Sequence, residues 1–340
     1  MLLYLLHGFS AASFGRFATL FYLSRSLSET QIGYIEALNP LANALGNLLF
    51  GLVADRLQRK KAVGIVARLL ATALTLNLLI PAVGCQRCFH QILTNMAVMS
   101  FFAVGGGVLD AYTLDLLGDS RRGEYGKYRL WTAVSWGLGN AAMGWVADVD
   151  FDLIFIPVGV LNLIAAVLMG ALLPRQTKDE ARIASRRKAA APSLAAVGAA
   201  APLNSVAISS DEAAPAGADT PGEELTLAQA MCRARQLFFF GEMVVIGFGM
   251  CVVEKFLFIY VRRQLGGSYT LCGYAVAVTV LIELPIFAKG DVLIRRLGHD
   301  AMVLFALLAY AVRTFGYTLL TADSVHYGLL ALEVLHGITF

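Results

Sequence analysis

Long apolar runs alternate with short charged connections along this chain. A hydrocarbon core about 30 Å thick takes about 20 apolar residues per helix. Measured against that length, the pattern predicts spans over 2–24, 31–54, 62–84, 92–117, 130–148 and 153–173. A polar stretch follows over 174–235, then spans over 236–260, 271–294, 301–320 and 325–340, the last cut off by the C-terminus. The polar stretch opens with Arg175, Lys178, Arg182, Arg186, Arg187 and Lys188 and continues rich in Ala, Pro and Ser. Pro192, Pro202 and Asn204 interrupt its Ala-rich part, 189–207, so it is expected to be a disordered linker rather than a span. The expected fold is an all-α integral membrane protein. A six-helix bundle over 1–173 is followed by the cytosolic linker over 174–235 and a second, incomplete bundle over 236–340.

Composition agrees with that class. The 340 residues are 58% hydrophobic and 15% charged, against about 25% charged in soluble domains. A net charge of +3 is too small to imply a nucleic-acid partner. The linker and the connections after spans 2, 4 and 8 carry 18 Lys and Arg, whereas the other side has four, Arg25, Arg87, Arg262 and Arg263. The positive-inside bias therefore places the N-terminus, the linker and those three connections in the cytosol. Met1 opens directly into apolar sequence without a basic n-region or an A-x-A site. A signal anchor, or a longer N-terminus, is expected rather than a cleavable signal peptide. Of five cysteines, only Cys85-Gln-Arg-Cys88 is patterned, and it suits a loop disulfide or two idle thiols better than a metal site.

Ionisable residues inside spans are costly and mark interiors or cavities. Asp110 ends the apolar part of span 4, and Arg129 and Trp136 open span 5 seven residues apart, on one helical face. A bidentate donor, its counter-ion and a stacking ring grip a polyhydroxylated or anionic solute. The same residues also fit a loop arginine, a helix-end acid and an interfacial indole, and the local sequence leaves both readings open. Because Asp110 lies about 11 Å from the cytosolic end of its apolar run, helices 4 and 5 must extend beyond those runs for it to line a cavity. Arg16 in span 1 is expected to face the interior, His7 to lie near the membrane surface, and Glu36 to be interfacial or functional. Glu254 and Lys255 are neighbours pointing to different faces. Glu283, Arg313 and His336 each lie about 17–18 Å into their spans, near the bilayer midplane. Glu333, three residues before His336, shares its face. An acid, a guanidinium and an imidazole at one depth are expected to converge, as a titrating site or as a static polar network.

The connection GLVADRLQRKK, Gly51 to Lys61, resembles the loop between helices 2 and 3 of the major facilitator superfamily. Gly51, Asp55, Arg56, Arg59 and Lys60 fit that gating motif, and Gln58 stands where the family usually has glycine. Gly51 is expected to permit close helix approach, and the basic residues to meet anionic lipid. A weaker echo follows span 8, from Lys289-Gly290-Asp291 to Gly298. YGKYRLWTAVSW, Tyr125 to Trp136, resembles helix 5 of the lactose-permease-like branch, including the group called major facilitator superfamily domain-containing protein 6. FLFIYVRRQLGGSYTLCGYAV, Phe256 to Val276, is similar to the same group. The resemblance implies that Arg129, Trp136 and Asp110 bind substrate, with Asp for the branch's Glu and with Thr132 and Ser135 at positions often glycine. It also implies a proton-coupling set of Glu283, Arg313, His336 and an acid beside it. Here Thr339 stands where the branch has that acid, and Glu333 lies one turn earlier.

The function so implied is alternating-access transport of a small polar solute, sugar- or nucleoside-like, coupled to protons. Six helices, a linker and a second set of helices suit that reading. No nucleotide loop, metal cluster or nucleophile–base pair suggests an enzyme, and no cofactor is expected. The partners expected are the solute, protons and membrane lipid. Rival readings are a transporter-fold receptor or scaffold, and a membrane enzyme using Glu333 and His336 as acid and base. Two helices of the family are missing after Phe340, so a fragment is expected rather than a ten-helix variant.

Overall fold

The computed structural model describes residues 1–177, 180–185 and 234–339. Among them the regular elements are all helical. The first half contains α1 (Leu2–Phe14), α2 (Ala18–Ser24), α3 (Glu29–Leu57), α4 (Lys60–Asn77), α5 (Phe89–Phe102), α6 (Gly105–Arg121), α7 (Tyr125–Val149) and α8 (Phe155–Leu172). The second contains α9 (Ala234–Arg263), α10 (Tyr269–Ala288), α11 (Gly290–Leu297), α12 (His299–Thr318) and α13 (Val325–His336).

Among the described residues, six stretches are long and apolar enough to cross a membrane: Glu29–Leu57, Phe89–Gly118, Phe151–Leu172, Gln236–Arg263, Tyr269–Ala288 and His299–Thr318. The other four predicted spans are helical too, but shorter or more polar. Span 1 is divided between α1 and α2, and span 4 breaks at Ala103–Val104, directly before three glycines. Helices 4 and 5 do extend past their apolar runs. The run of α6 continues to Arg121, with a turn at Gly118 (φ 62°), and α7 begins at Tyr125. Local signals set other ends. Ser28 and Gln31 form a reciprocal capping box at the start of α3, and the Ser268 hydroxyl accepts from the Leu271 N–H at the start of α10.

By contacts the chain divides into one unit of 1–183 with 252–340 and a second of 184–251. In the first unit, α7 packs along both α1 and α10. Small residues make this possible, since lipid supplies no hydrophobic drive and close backbone approach must carry the packing. A Cβ on Gly8 would overlap the Ser135 hydroxyl, and one on Gly139 would lie 2.8 Å from the Ala12 Cβ. On the α10 side, a Cβ on Gly144 would come within 2.5 Å of the Tyr269 carbonyl, and one on Gly273 would overlap that of Asn140. An aromatic core of Phe14, Phe17, Phe21, Tyr22, Phe155 and Phe258 fills the same end.

Polar ties close that end of the unit. Arg25 donates to both carboxylate oxygens of Asp152 at 2.9 and 3.1 Å. Asp148 accepts the Tyr269 and Thr270 N–H groups at 2.9 and 2.8 Å, capping α10 from α7. The Arg87 N–H reaches the Arg25 carbonyl at 2.8 Å from a loop whose Cys85 and Cys88 form a disulfide.

At the opposite end lies the Gly51–Lys61 connection. Gln58 closes α3 at φ 51°, ψ 45°, the left-handed region that glycine enters without strain. The missing family glycine is thus a left-handed helix cap. Gly51 does not meet its expectation: a Cβ there would find no atom within 4 Å. Lys60 pairs with Asp115 at 2.7 Å, and its N–H donates to Glu180 at 2.7 Å. Lys61 donates to the Gly170 and Leu173 carbonyls at the end of α8, 2.8 and 2.6 Å away, a cation at the negative pole of a helix. Most of the expected linker, 174–235, lies outside the described residues. Its start is packed: the Pro174 carbonyl accepts from Tyr112, and buried Glu180 also takes the Thr177 N–H.

Candidate functional site

Three polar clusters lie within the first unit. The first joins α1, α6 and α7. Arg129 Nη1 stands 3.6 Å from Asp110 Oδ2 and donates to the Tyr125 hydroxyl at 3.2 Å. Asp110 Oδ1 accepts from the Tyr4 hydroxyl at 3.0 Å. The Arg129 side chain is 65% exposed, so most of its guanidinium faces open space. Trp136, two turns along α7, lies against the gap between α1 and α2, where a Cβ on Gly15 would come within 2.8 Å of its ring. The predicted acid–guanidinium pair is therefore present, and Trp136 lines the same helix.

The second cluster joins α10, α12 and α13. Glu333 is 2% exposed and accepts three hydrogen bonds, from Tyr317 Oη at 2.5 Å, Thr279 Oγ1 at 2.8 Å and His336 Nδ1 at 2.9 Å. Arg313 is fully buried, its guanidinium 5.4 and 5.8 Å from the ring centres of Tyr310 and Tyr317. Tyr317 thus links the guanidinium, through its ring, to the carboxylate, through its hydroxyl. Glu283 is not brought into this cluster. The α10 residue facing Glu333 is Thr279, and Glu283 lies four residues on, about 6 Å further along the helix. It is half-buried, and the charge that acts on it is Glu254. Depth is not what separates it, because the preceding residue, Ile282, lies level with Gly337, next to His336: a Cβ on that glycine would come within 2.5 Å of the Ile282 Cβ.

The third cluster ties the halves together. Arg16 stands 3.6 Å from Glu254 and 5.0 Å above the Phe258 ring, facing the interior as expected. Lys255 pairs with buried Glu36 at 2.7 Å. Glu254 and Lys255 point to different partners, as neighbours on a helix must, and each partner comes from the first half.

A further buried cation lies outside the motifs that the sequence singles out. Arg68, midway along α4, is 6% exposed. It donates to Asn162 Oδ1 at 2.8 Å and lies 3.2 Å from His7 Nδ1. His7, expected near the surface, is therefore an interior residue. The signal was present, since a lone arginine inside a span is the feature that singled out Arg313.

The structure resembles solved transporters in fold. It aligns with the nucleoside transporter NupG (D323A mutant) at a TM-score of 0.66 and 11% identity, covering 100% of this chain and 79% of that one. A bacterial homolog of the human lysosomal transporter Spinster, inward-facing and unoccupied, aligns at 0.61 and 14% identity, over 99% and 71% of the two chains. A D-xylose-proton symporter aligns at 0.57 and 13%, over 99% and 78%. In sequence, the chain is 24% identical over 292 residues to the maltose permease of Geobacillus stearothermophilus. The match covers 86% of this chain and 63% of the length of that permease. The model of the MFS_1 like family matches residues 2–340, and the chain belongs to that family.

Proposed function

We propose that this protein is a secondary transporter that moves a small polar solute, sugar- or nucleoside-like, by alternating access with proton coupling. The observation that carries this reading is the Asp110–Arg129 pair, whose guanidinium is 65% exposed although the opposite end of the bundle is tied shut. Family membership and the names of the relatives support the solute class. Asp110, Arg129 and Trp136 would hold the solute, and Glu333, Arg313, His336 and Tyr317 would carry the coupling. The test is radiolabelled uptake into proteoliposomes from a panel of sugars and nucleosides, with and without a pH gradient. Uptake of one solute, accumulated uphill only with the gradient, is expected. Failure of the whole panel would leave a receptor or scaffold built on the same fold.

The proposed orientation puts the disulfide-bearing end outside and the Gly51–Lys61 end in the cytosol. Cys272 reports on it, being fully buried beside Gly273, where α10 meets α7. With Cys232 and Cys251 replaced by Ser, an impermeant maleimide added to right-side-out vesicles should leave Cys272 unlabelled. Gly273→Leu cannot fit against the Asn140 carbonyl, so it should hold this end open and make Cys272 reactive from outside. Labelling only after permeabilisation would invert the orientation. No labelling at all would mean that Gly273 does not close a gate.

A further inference from the structure

The break between α5 and α6 leaves donors without acceptors in the middle of a membrane helix. Its two sides are treated differently. On the α5 side, the Asn43 amide donates to the Ser100 and Ala103 carbonyls at 3.0 and 3.2 Å, satisfying the exposed acceptors. On the α6 side, the first N–H to find a backbone acceptor is that of Val108, bonded to the Val104 carbonyl at 3.2 Å. The N–H groups of Gly105, Gly106 and Gly107 have no acceptor among the described residues. They form the positive pole of α6, which runs unbroken from Gly105 to the turn at Gly118.

Against this pole lies Arg68. A Cβ on Gly105 would stand 3.6 Å from its Nη2 and 3.7 Å from its Nε, so that edge of the guanidinium faces the break. Nη1 and Nη2 meet Asn162 and His7, neither of which can carry a negative charge there, while buried Nε has no hydrogen-bond partner among the described residues. No carboxylate among the described residues lies within ion-pair distance of Arg68. A permanent cation, 94% buried by its 6% exposure, beside a positive helix pole and without a counter-ion, is costly unless an anion visits. Asp110 does not fill that role, because it lies about one turn along α6 and is paired with Arg129. Two guanidiniums around one carboxylate leave a positive charge over. Gly106 and Gly107 are not sealed, being half-buried and exposed respectively. The absence of side chains lets a ligand approach the backbone donors.

We propose that the α5–α6 break is an oxyanion-binding site, in which the first N–H groups of α6 and the Arg68 guanidinium hold a carboxylate or phosphoryl group. Half-helix N-termini and guanidinium forks both suit such groups. The oxyanion is either a substituent of the transported solute or a free inorganic anion. Only the first alternative rests on the transport reading above.

The test is thermal unfolding of the full chain in nanodiscs at constant ionic strength, titrated with inorganic phosphate, glucose 6-phosphate and glucose. Phosphate and glucose 6-phosphate should raise Tm saturably, and Arg68→Gln should remove the rise. Tighter binding of glucose 6-phosphate than of phosphate or glucose would put the oxyanion on the solute, whereas equal binding of the two phosphates would make it a free ion. Should Arg68→Gln fail to fold, Arg68→Lys keeps the charge without the fork and should weaken Kd about tenfold. No shift in the wild-type chain, or equal binding by wild type and either variant, overturns the site. Because the readout is binding, uptake of a neutral solute without oxyanion binding would sink this inference alone. Oxyanion binding without any uptake would sink only the transport reading.

Discussion

Glu333→Gln is expected to abolish uphill, pH-driven accumulation while counterflow exchange stays within about threefold of the wild-type rate. The carboxylate is 2% exposed and takes donors from three helices: Thr279 on α10, Tyr317 on α12 and His336 on its own α13. Arg313 sits across the Tyr317 ring, its guanidinium nitrogens without hydrogen-bond partners among the described residues. A guanidinium in that state is balanced mainly by the nearby carboxylate, and protonating Glu333 would remove that balance. Proton binding therefore acts on the packing of α12 against α13, which a rocking cycle can exploit. Glutamine preserves shape and most hydrogen bonds but fixes the neutral form, so the cycle should lose its proton while the proposed solute residues on α6 and α7 stay in place. His336→Gln should instead shift affinity or its pH dependence. Imposed-gradient uptake followed by counterflow, on the complete chain in proteoliposomes, separates these outcomes. Accumulation by Glu333→Gln as steep as wild type would show that this carboxyl does not couple. A wild-type protein indifferent to the gradient would remove the symport reading with it.

The sequence revealed the helices well because bilayer thickness fixes how many apolar residues a span needs. It revealed helix ends poorly for the same reason. The start of α7 at Tyr125 lies in charged sequence, directly after a 3-10 turn over Arg122–Glu124, where hydropathy carries no signal. The break in span 4 was legible in principle, since Gly105, Gly106 and Gly107 are consecutive, but hydropathy averages over glycine. Arg68, like Arg313, is a lone arginine inside an apolar run, and that alone makes it legible as an interior residue. Pairings across the two halves, Arg16 with Glu254 and Lys255 with Glu36, depend on how α1 and α3 dock against α9. No local pattern encodes that docking. Glu283 shows that equal depth does not fix facing: Ile282 packs level with Gly337, yet no hydrogen bond joins Glu283 to Glu333 or Arg313 among the described residues. By contrast Asp110 and Arg129 meet across the short connection between α6 and α7, whereas Trp136, two turns further along α7, packs against Gly15.

Arg129→Lys is expected to weaken solute binding by about a hundredfold, the equivalent of losing a charged bidentate contact, with Tm unchanged. Stability should not depend on this side chain. It is 65% exposed, and its 3.6 Å approach to Asp110 is too long for a hydrogen bond, an arrangement worth little to the fold. Arg129 keeps its remaining donors turned toward open space, held in direction by the Tyr125 hydroxyl at 3.2 Å, while Tyr4 steadies the Asp110 carboxylate from α1. Lysine retains the charge opposite Asp110 but has no planar fork with which to bridge two solute oxygens. Trp136→Tyr should be milder, about threefold to tenfold, because a smaller stacking face remains against the solute. That substitution also puts a smaller ring where the indole packs against Gly15, so its Tm should be recorded beside its affinity. Equilibrium binding of the transported solute to the full chain, with melting curves for each variant, supplies both numbers. If Arg129→Lys binds as tightly as wild type, the guanidinium is a topology-setting charge at the end of α7, and the solute is held elsewhere in the cavity.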